Sequence, residues 1–225
     1  MERKIIKTAD GSVTIHLPEW DEQYHSKHGA VQEAQHVFIK MGLYHYLKAS
    51  PKPELSIMEI GFGTGLNAFI TFLEAQNLPV KFNYTGVEAF PVTSQEIAAL
   101  NYPENLSAEN QEWAFQKIHG TPWEHYISIS DNFQLKKLQK KFDEISAKNE
   151  FDIIYFDAFG ARVQPELWTE EIFEIMHSAL KDGGILVTYS AKGSVRRALQ
   201  KVGFIVERLE GPPGKREMLR ATKSC

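Results

Sequence analysis

The chain has 225 residues, 43% hydrophobic and 24% charged, which suits one α/β domain built on a single sizeable core. Its only cysteine is Cys225, so no intrachain disulfide can form and an oxidising compartment is not required. A net charge of −4 argues against a surface that grips nucleic acid all over. No run approaches the ~18 apolar residues of a membrane span, and residues 1–20 lack the continuous apolar stretch of a signal peptide. A cytoplasmic protein without membrane contact is expected.

Residues 4–8 and 13–17 flank Asp10-Gly11 and predict a β-hairpin, because Asp-Gly supplies the positive φ angles of a tight two-residue turn. Residues 18–29 are hydrophilic and rich in His and Tyr. Val31, Ala34, Val37, Phe38, Met41, Tyr44 and Tyr46 then recur at helical spacing, predicting a helix over 31–47 that Pro51 and Pro53 end. Residues 1–50 read as a small hairpin-and-helix cap, and 51–225 as the main domain. From residue 55 onward, apolar runs alternate with helical patterns. Strands are predicted over 57–60, 82–87, 126–129, 152–156 and 184–189, with helices over 66–76, 92–100, 107–118, 134–145, 168–180 and 195–202. Such alternation implies an α/β fold with a mostly parallel sheet and helices on both faces. Strands over 204–209 and 218–222 have no helix between them, so an antiparallel hairpin should close one edge. The segment from Lys192 to Lys223 holds nine basic and three acidic residues, a basic lobe on an acidic body.

In an open α/β sheet, ligands lie beyond the carboxyl ends of the strands, so residues just after each strand are the ones to inspect. After the first main strand come Glu59, Gly61, Phe62, Gly63, Thr64, Gly65, Leu66 and Asn67. The glycines allow a tight turn and close backbone approach, though a plain strand-to-helix connector also accounts for them. A dinucleotide fingerprint needs its third glycine at position 66, where this chain has Leu66, so NAD and FAD are disfavoured. The Glu-x-Gly-x-Gly-x-Gly form instead resembles motif I of class I, Rossmann-like S-adenosylmethionine-dependent methyltransferases. Glu88 ends the next strand, where a carboxylate would accept from both hydroxyls of a ribose. Asp131, after the third strand, is either an adenine contact or the N-cap of the helix that follows. Asp157 ends the fourth strand and resembles the Asp or Asn of amine-directed methyltransferases, though the two prolines that follow it there are missing; a carboxylate so placed can orient an attacking amine and take up charge, which makes Asp157 the catalytic candidate. Phe159 either stacks on a base or belongs to the core. The eight histidines show no metal-ligand spacing; His25, His28 and His36 read as cap or pocket residues, and no metal is expected.

Longer stretches carry a closer resemblance. These are Tyr24-His25-Ser26, Gly61 through Asn67, Asp157-Ala158-Phe159 with Pro165-Glu166-Leu167-Trp168, and the ending Gly211-Pro212-Pro213-Gly214-Lys215-Arg216-Glu217-Met218. Together they resemble the methyltransferase half of the MnmC family, which completes 5-methylaminomethyl-2-thiouridine at the tRNA wobble position. The resemblance implies S-adenosyl-L-methionine as cofactor, S-adenosyl-L-homocysteine as product, and the anticodon stem-loop of tRNA as partner. It adds Tyr24 to the cofactor site, and it gives Lys192, Arg196, Arg197, Lys215 and Arg216 phosphates to contact. Where relatives commonly have Asp-Gly-Phe, this chain has Asp157-Ala158-Phe159, keeping the carboxylate and the aromatic ring. A chain of this length is expected to lack the FAD-dependent half and to take its aminomethyl substrate from a separate enzyme. Two alternatives stand beside this reading: a small-amine methyltransferase, and a non-catalytic nucleotide-binding or RNA-binding module.

Overall fold

The computed structural model describes residues 2–224, and Cys225 lies outside the described residues. Near the N-terminus, β1 (Lys4–Lys7), β2 (Val13–Leu17) and β3 (Glu22–Gln23) form a small antiparallel sheet. The predicted hairpin is present, but its turn is longer than expected: Lys7 pairs with Val13, leaving residues 8–12 in the loop. Asp10 is the reason. Its carboxylate accepts from the Ser12 N–H at 3.0 Å and from the Thr8 and Ser12 hydroxyls at 2.7 and 2.6 Å, a side-chain closure that replaces the two-residue turn.

The predicted first helix is α1 (Ala30–Ala34), continuing through a π-helical stretch (Gln35–Tyr44) into α2 (His45–Ala49). Its apolar face, with Val37, Phe38, Leu43 and Tyr46, joins the core of the main sheet rather than standing apart from it.

That sheet contains β4 (Glu54–Ile60), β5 (Lys81–Val87), β6 (Tyr126–Ser130), β7 (Phe133–Leu138), β8 (Phe151–Phe156), β9 (Leu180–Thr188), β10 (Phe204–Glu210) and β11 (Glu217–Lys223). Their order is β10-β11-β9-β8-β4-β5-β7-β6. Pairs β9-β8, β8-β4, β4-β5 and β5-β7 are parallel, and the expected C-terminal hairpin β10-β11 is antiparallel at one edge. Central strands bury both faces. Along β8, Ile153 and Tyr155 enter one core while Ile154 and Phe156 enter the other. The first core lies under α3 (Leu66–Ala75) and α6 (Glu112–Gly120) as well as the N-terminal helix; α4 (Ser94–Ala98) and α5 (Tyr102–Asn105) connect β5 to it. The second lies under α7 (Glu170–Ala179) and α8 (Gly193–Lys201).

One predicted element is corrected. Residues 134–145 do not form a helix: 133–138 are strand β7, paired antiparallel with β6 and parallel with β5. The burial alternates, with Phe133, Leu135 and Lys137 inward, and a buried lysine at the third inward position hid the two-residue period. Edge strand β6 therefore runs against the parallel strands, which matters for the site.

Candidate active site

The chain leaves β4 for β5 and β7 on one side, then returns to lay β8 on the other. The switch point thus falls between the carboxyl ends of β4 and β8, where such sheets open a crevice. The turn after β4 needs left-handed backbone at Gly61 (φ 86°) and Gly63 (φ 47°). A Cβ on Gly61 would stand 2.7 Å from the Asp157 carbonyl oxygen, so these two strand ends can meet only through a glycine. The Asp157 N–H in turn donates to the Ile60 carbonyl at 2.9 Å.

A cavity of about 930 Å³ opens over this junction. Gly61, Gly63, Glu88, Asp157, Phe159 and Tyr24 all border it. The Glu88 carboxylate accepts from the N–H groups of Gly63 at 3.0 Å and Phe90 at 2.8 Å, which aims it across the glycine turn and leaves further lone pairs for hydroxyl donors. Aromatic rings form one wall. Phe159 lies 4.9 Å from Tyr24 and 6.0 Å from Trp20, edge to face, and the Trp168 indole N–H fixes the Phe159 carbonyl at 2.7 Å.

Behind the wall, Asn67 bridges two carboxylates. Its Nδ2 donates to Glu59 Oε1 at 2.9 Å and Asp157 Oδ2 at 2.8 Å, while the Tyr84 hydroxyl donates to Glu59 Oε2 at 2.8 Å. Glu59 and Asn67 therefore support the site from within the core rather than bordering the cavity. Burial, helped by nearby Asp157 and Glu88, holds the Glu59 carboxyl well above its ordinary value despite these bonds. Burial also raises Asp157, to about 7; Glu33 pushes the same way, and the Asn67 bond and Lys215 oppose it. Thr64 is buried, taking a hydrogen bond from the Tyr102 hydroxyl at 2.9 Å and sharing one with His25 Nε2 at 2.6 Å. Burial holds His25 down to about 4, so it is neutral at ordinary pH. The Phe62 ring is buried on Gly86, and Gly65 opens α3 in a left-handed turn.

Two groups of expected residues lie elsewhere. Because β6 is antiparallel, Asp131 is exposed in the β6-β7 turn at the amino end of the sheet, away from the cavity; the Asn132 carbonyl beside it accepts from Phe82 near the start of β5. Lys141, Phe142 and Asp143, after β7, border the cavity instead. Lys192, Arg196, Arg197 and Arg216 follow the carboxyl ends of β9 and β10, on the cavity side of the sheet but outside its lining. Lys215 turns inward, 2.5 Å from the buried Glu33 carboxylate and 3.8 Å above the Tyr189 ring. Also unforeseen is Arg3, which borders the cavity and ties β1 to the 88–96 loop through Phe90, Pro91 and Glu96. Trp20 and Arg3 had no sequence signal, since neither sits after a strand of the main sheet.

The glycine turn and the Glu88 cradle suit a nucleoside-bearing cofactor. Among the described residues, no group of three His, Cys, Asp or Glu is arranged to hold a metal, and no helix is long and apolar enough to cross a membrane.

Comparison with known proteins agrees with the geometry. Residues 116–224 match the family model of an S-adenosyl-L-methionine-dependent methyltransferase. The chain is 30% identical over 213 residues, 89% of its length, to the tRNA 5-methylaminomethyl-2-thiouridine biosynthesis bifunctional protein MnmC of Idiomarina loihiensis. It is 31% identical over 91% of its length to the protein of that name from Actinobacillus pleuropneumoniae. The chain spans about a third of the length of these relatives, 35% and 33% respectively. Among solved structures, MNMC2 from Aquifex aeolicus superposes with a TM-score of 0.78 at 24% identity, over 100% of this chain and 71% of that one. Spermidine synthase from Thermotoga maritima shares the fold at TM-score 0.61 and 18% identity, over 99% of this chain and 68% of that one.

Proposed function

We propose that this chain, an S-adenosyl-L-methionine-dependent methyltransferase similar to part of the MnmC proteins, methylates the primary amine of 5-aminomethyl-2-thiouridine at the tRNA wobble position. The observation that carries this reading is the placement of Asp157 on the same cavity as the glycine turn, Glu88 and the aromatic rings of Tyr24 and Phe159. Glu88 is positioned to hold ribose hydroxyls, and the turn at Gly61 and Gly63 lets the backbone close on the cofactor. Bound there, S-adenosyl-L-methionine supplies an electrophilic methyl group on sulfur and leaves as S-adenosyl-L-homocysteine.

The chain's own task is to deliver a neutral amine in line with that methyl. An alkylammonium has a reference pKa of ~10.4, so most acceptor arrives protonated. Asp157 takes that proton. At about 7 its carboxyl is a much better match for the task than an ordinary aspartate, while still ionised in good part at neutral pH. The Asn67 amide holds one carboxylate oxygen and so fixes the other toward the cavity. Phe159, Tyr24 and Trp20 present faces and edges on which an unstacked base can rest, each such contact being worth ~1–3 kcal/mol. Holding the two reactants aligned supplies much of the remaining rate. The free cations beside the carboxyl ends of β9 and β10 contact phosphates of the stem-loop. The aminomethyl group comes from a separate activity.

Incubation with labelled cofactor and tRNA carrying the aminomethyl group tests this. Label is expected in the wobble nucleoside, and Asp157→Asn is expected to lower kcat by about 10²–10⁴-fold while leaving cofactor affinity within a few-fold. Label appearing in a free polyamine and not in RNA would reject the reading.

A further inference from the structure

Lys215 lies in the 211–216 loop, the segment expected from sequence to face RNA, yet its ammonium is committed elsewhere. It pairs with Glu33 at 2.5 Å and sits 3.8 Å over the Tyr189 ring. Glu33 is buried on α1, and the Tyr189 hydroxyl donates to the Ala158 carbonyl at 2.8 Å, one residue beyond Asp157. None of Glu33, Lys215 and Tyr189 borders the cavity, so none is placed to touch substrate from within it. Through Tyr189 they reach the residue that follows Asp157.

We infer that Glu33 and Lys215 form a positioning pair that sets the charge of Asp157 and holds its strand end through Tyr189, rather than Lys215 being an RNA contact. The inference rests on the proposed role of Asp157. Its physical basis is opposition. Glu33 disfavours a second carboxylate near it, Lys215 favours one, and fixing the two together keeps their influence balanced. Asn67 also acts on Asp157 through its hydrogen bond, and Asp157 in turn acts on Glu59 on β4, Tyr84 on β5, Tyr102 on α5 and Tyr189 after β9. All are held by hydrogen bonds within the core or its edge, and all remain in the variants that follow. The pair also ties three distant pieces of chain, α1, the end of β9 and the β10-β11 loop, to one strand end. A second bond in the same region, from His36 Nε2 to the Glu210 carbonyl at 2.8 Å, anchors that loop to the N-terminal helix.

Two readouts separate this from an RNA role and from failure of the functional proposal. The first is the ¹³C carboxyl resonance of Asp157 in the full chain, assigned by its loss in Asp157→Asn and titrated without turnover. The second is kcat and KM for tRNA against pH and salt. Lys215→Gln is expected to raise the Asp157 midpoint and Glu33→Gln to lower it, each by about half a pH unit or more. The double variant should fall between them, and Lys215→Arg should stay near the wild-type value. In kinetics, Lys215→Gln should shift the acid limb of kcat upward, with KM for tRNA and its salt dependence unchanged within twofold. A midpoint unmoved in both single variants, with melting temperature retained, overturns the inference. So does a Lys215→Gln variant whose only defect is a raised KM with a shallower salt dependence. If Asp157→Asn keeps its full rate while the midpoints still move, the catalytic proposal fails and the pair stands.

Discussion

At the scale of single residues, Asp157 carries opposite consequences for chemistry and for stability. Folding lifts its carboxyl from the ordinary 3.8 to about 7, so between those values the folded state binds more protons than the unfolded one. Stability contributed by the protonated form is complete below pH 4 and is lost as pH rises through 7. Asp157→Asn removes the ionisation but keeps an oxygen to accept from Asn67. The variant should therefore match wild type in unfolding free energy near pH 4 and exceed it at pH 8 by about 2 kcal/mol, after allowance for water reaching the cavity side of the group. Urea denaturation at the two pH values checks this; equal stability at pH 8 would mean the carboxyl is not held high. The residue also shows what sequence can carry. Its place at a strand end made Asp157 legible, as it did Glu88 and the glycines, because strand ends are where a sheet opens to ligand. Arg3, Trp20 and His25 reach the same cavity from a small separate sheet, and no local pattern reveals where such a sheet docks. Lys215 was legible as a charge but not as a buried pairing, since Glu33 lies 182 positions away in the chain.

At the scale of elements, strands with continuous apolar runs were readable, and the strand that alternates polar residues with an inward row ending in a lysine was not. The segment 133–138 alternates correctly, but Lys137 takes an inward place, its ammonium donating to the His119 carbonyl at 2.6 Å and lying 5.0 Å over Trp123. Burial pulls that lysine down to about 8, so it is the interior, not water, that has shaped it. Reading 134–145 as a helix reversed the expected sense of the strand before it and put Asp131 at the wrong end of the sheet. A second buried charge on β8 has a purely structural task. Asp152 accepts from Lys52 at 2.7 Å, the Ser56 N–H at 2.8 Å, Lys181 at 3.1 Å and the Tyr46 hydroxyl at 3.2 Å. Burial alone would raise it, but these partners outweigh that and hold its carboxyl below the ordinary value. Its contribution to stability is present above pH 4 and lost as pH falls through the folded value. Asp152→Ala leaves two lysines and an amide facing an empty acceptor, and should cost about 3–5 kcal/mol by urea denaturation at pH 7. Cofactor affinity of the folded fraction should not change, because Asp152 lies at the amino end of β8. A loss below about 1 kcal/mol would show the cluster to be solvated.

At the scale of the whole molecule, the basic lobe resolves into two populations. Lys201, Arg208, Lys215, Arg220 and Lys223 each face a carboxylate, of Glu170, Glu217, Glu33, Glu207 and Asp182 respectively. Among the described residues, Lys192, Arg196, Arg197 and Arg216 make no ion pair. Three of these four open α8 and the fourth ends the β10-β11 loop, so the unpaired charge gathers beside the carboxyl ends of β9 and β10, on the cavity side of the sheet. A paired cation has already given up much of the field that would attract a phosphate, whereas an unpaired one still carries its counterions and gains by releasing them. The four unpaired residues should therefore carry the RNA affinity that the proposed function requires, and the five paired ones should not. Lys192→Ala with Arg197→Ala is expected to weaken tRNA binding and to reduce the slope of log K against log salt concentration by about 1.4–1.8, the loss of two phosphate contacts. Lys201→Ala with Arg208→Ala removes the same formal charge from paired sites and should leave that slope within error. Filter binding across a salt series separates the two. Equal losses in both variants would mean that net charge alone draws the RNA, and an unchanged slope in both would move the RNA surface to another face of the chain.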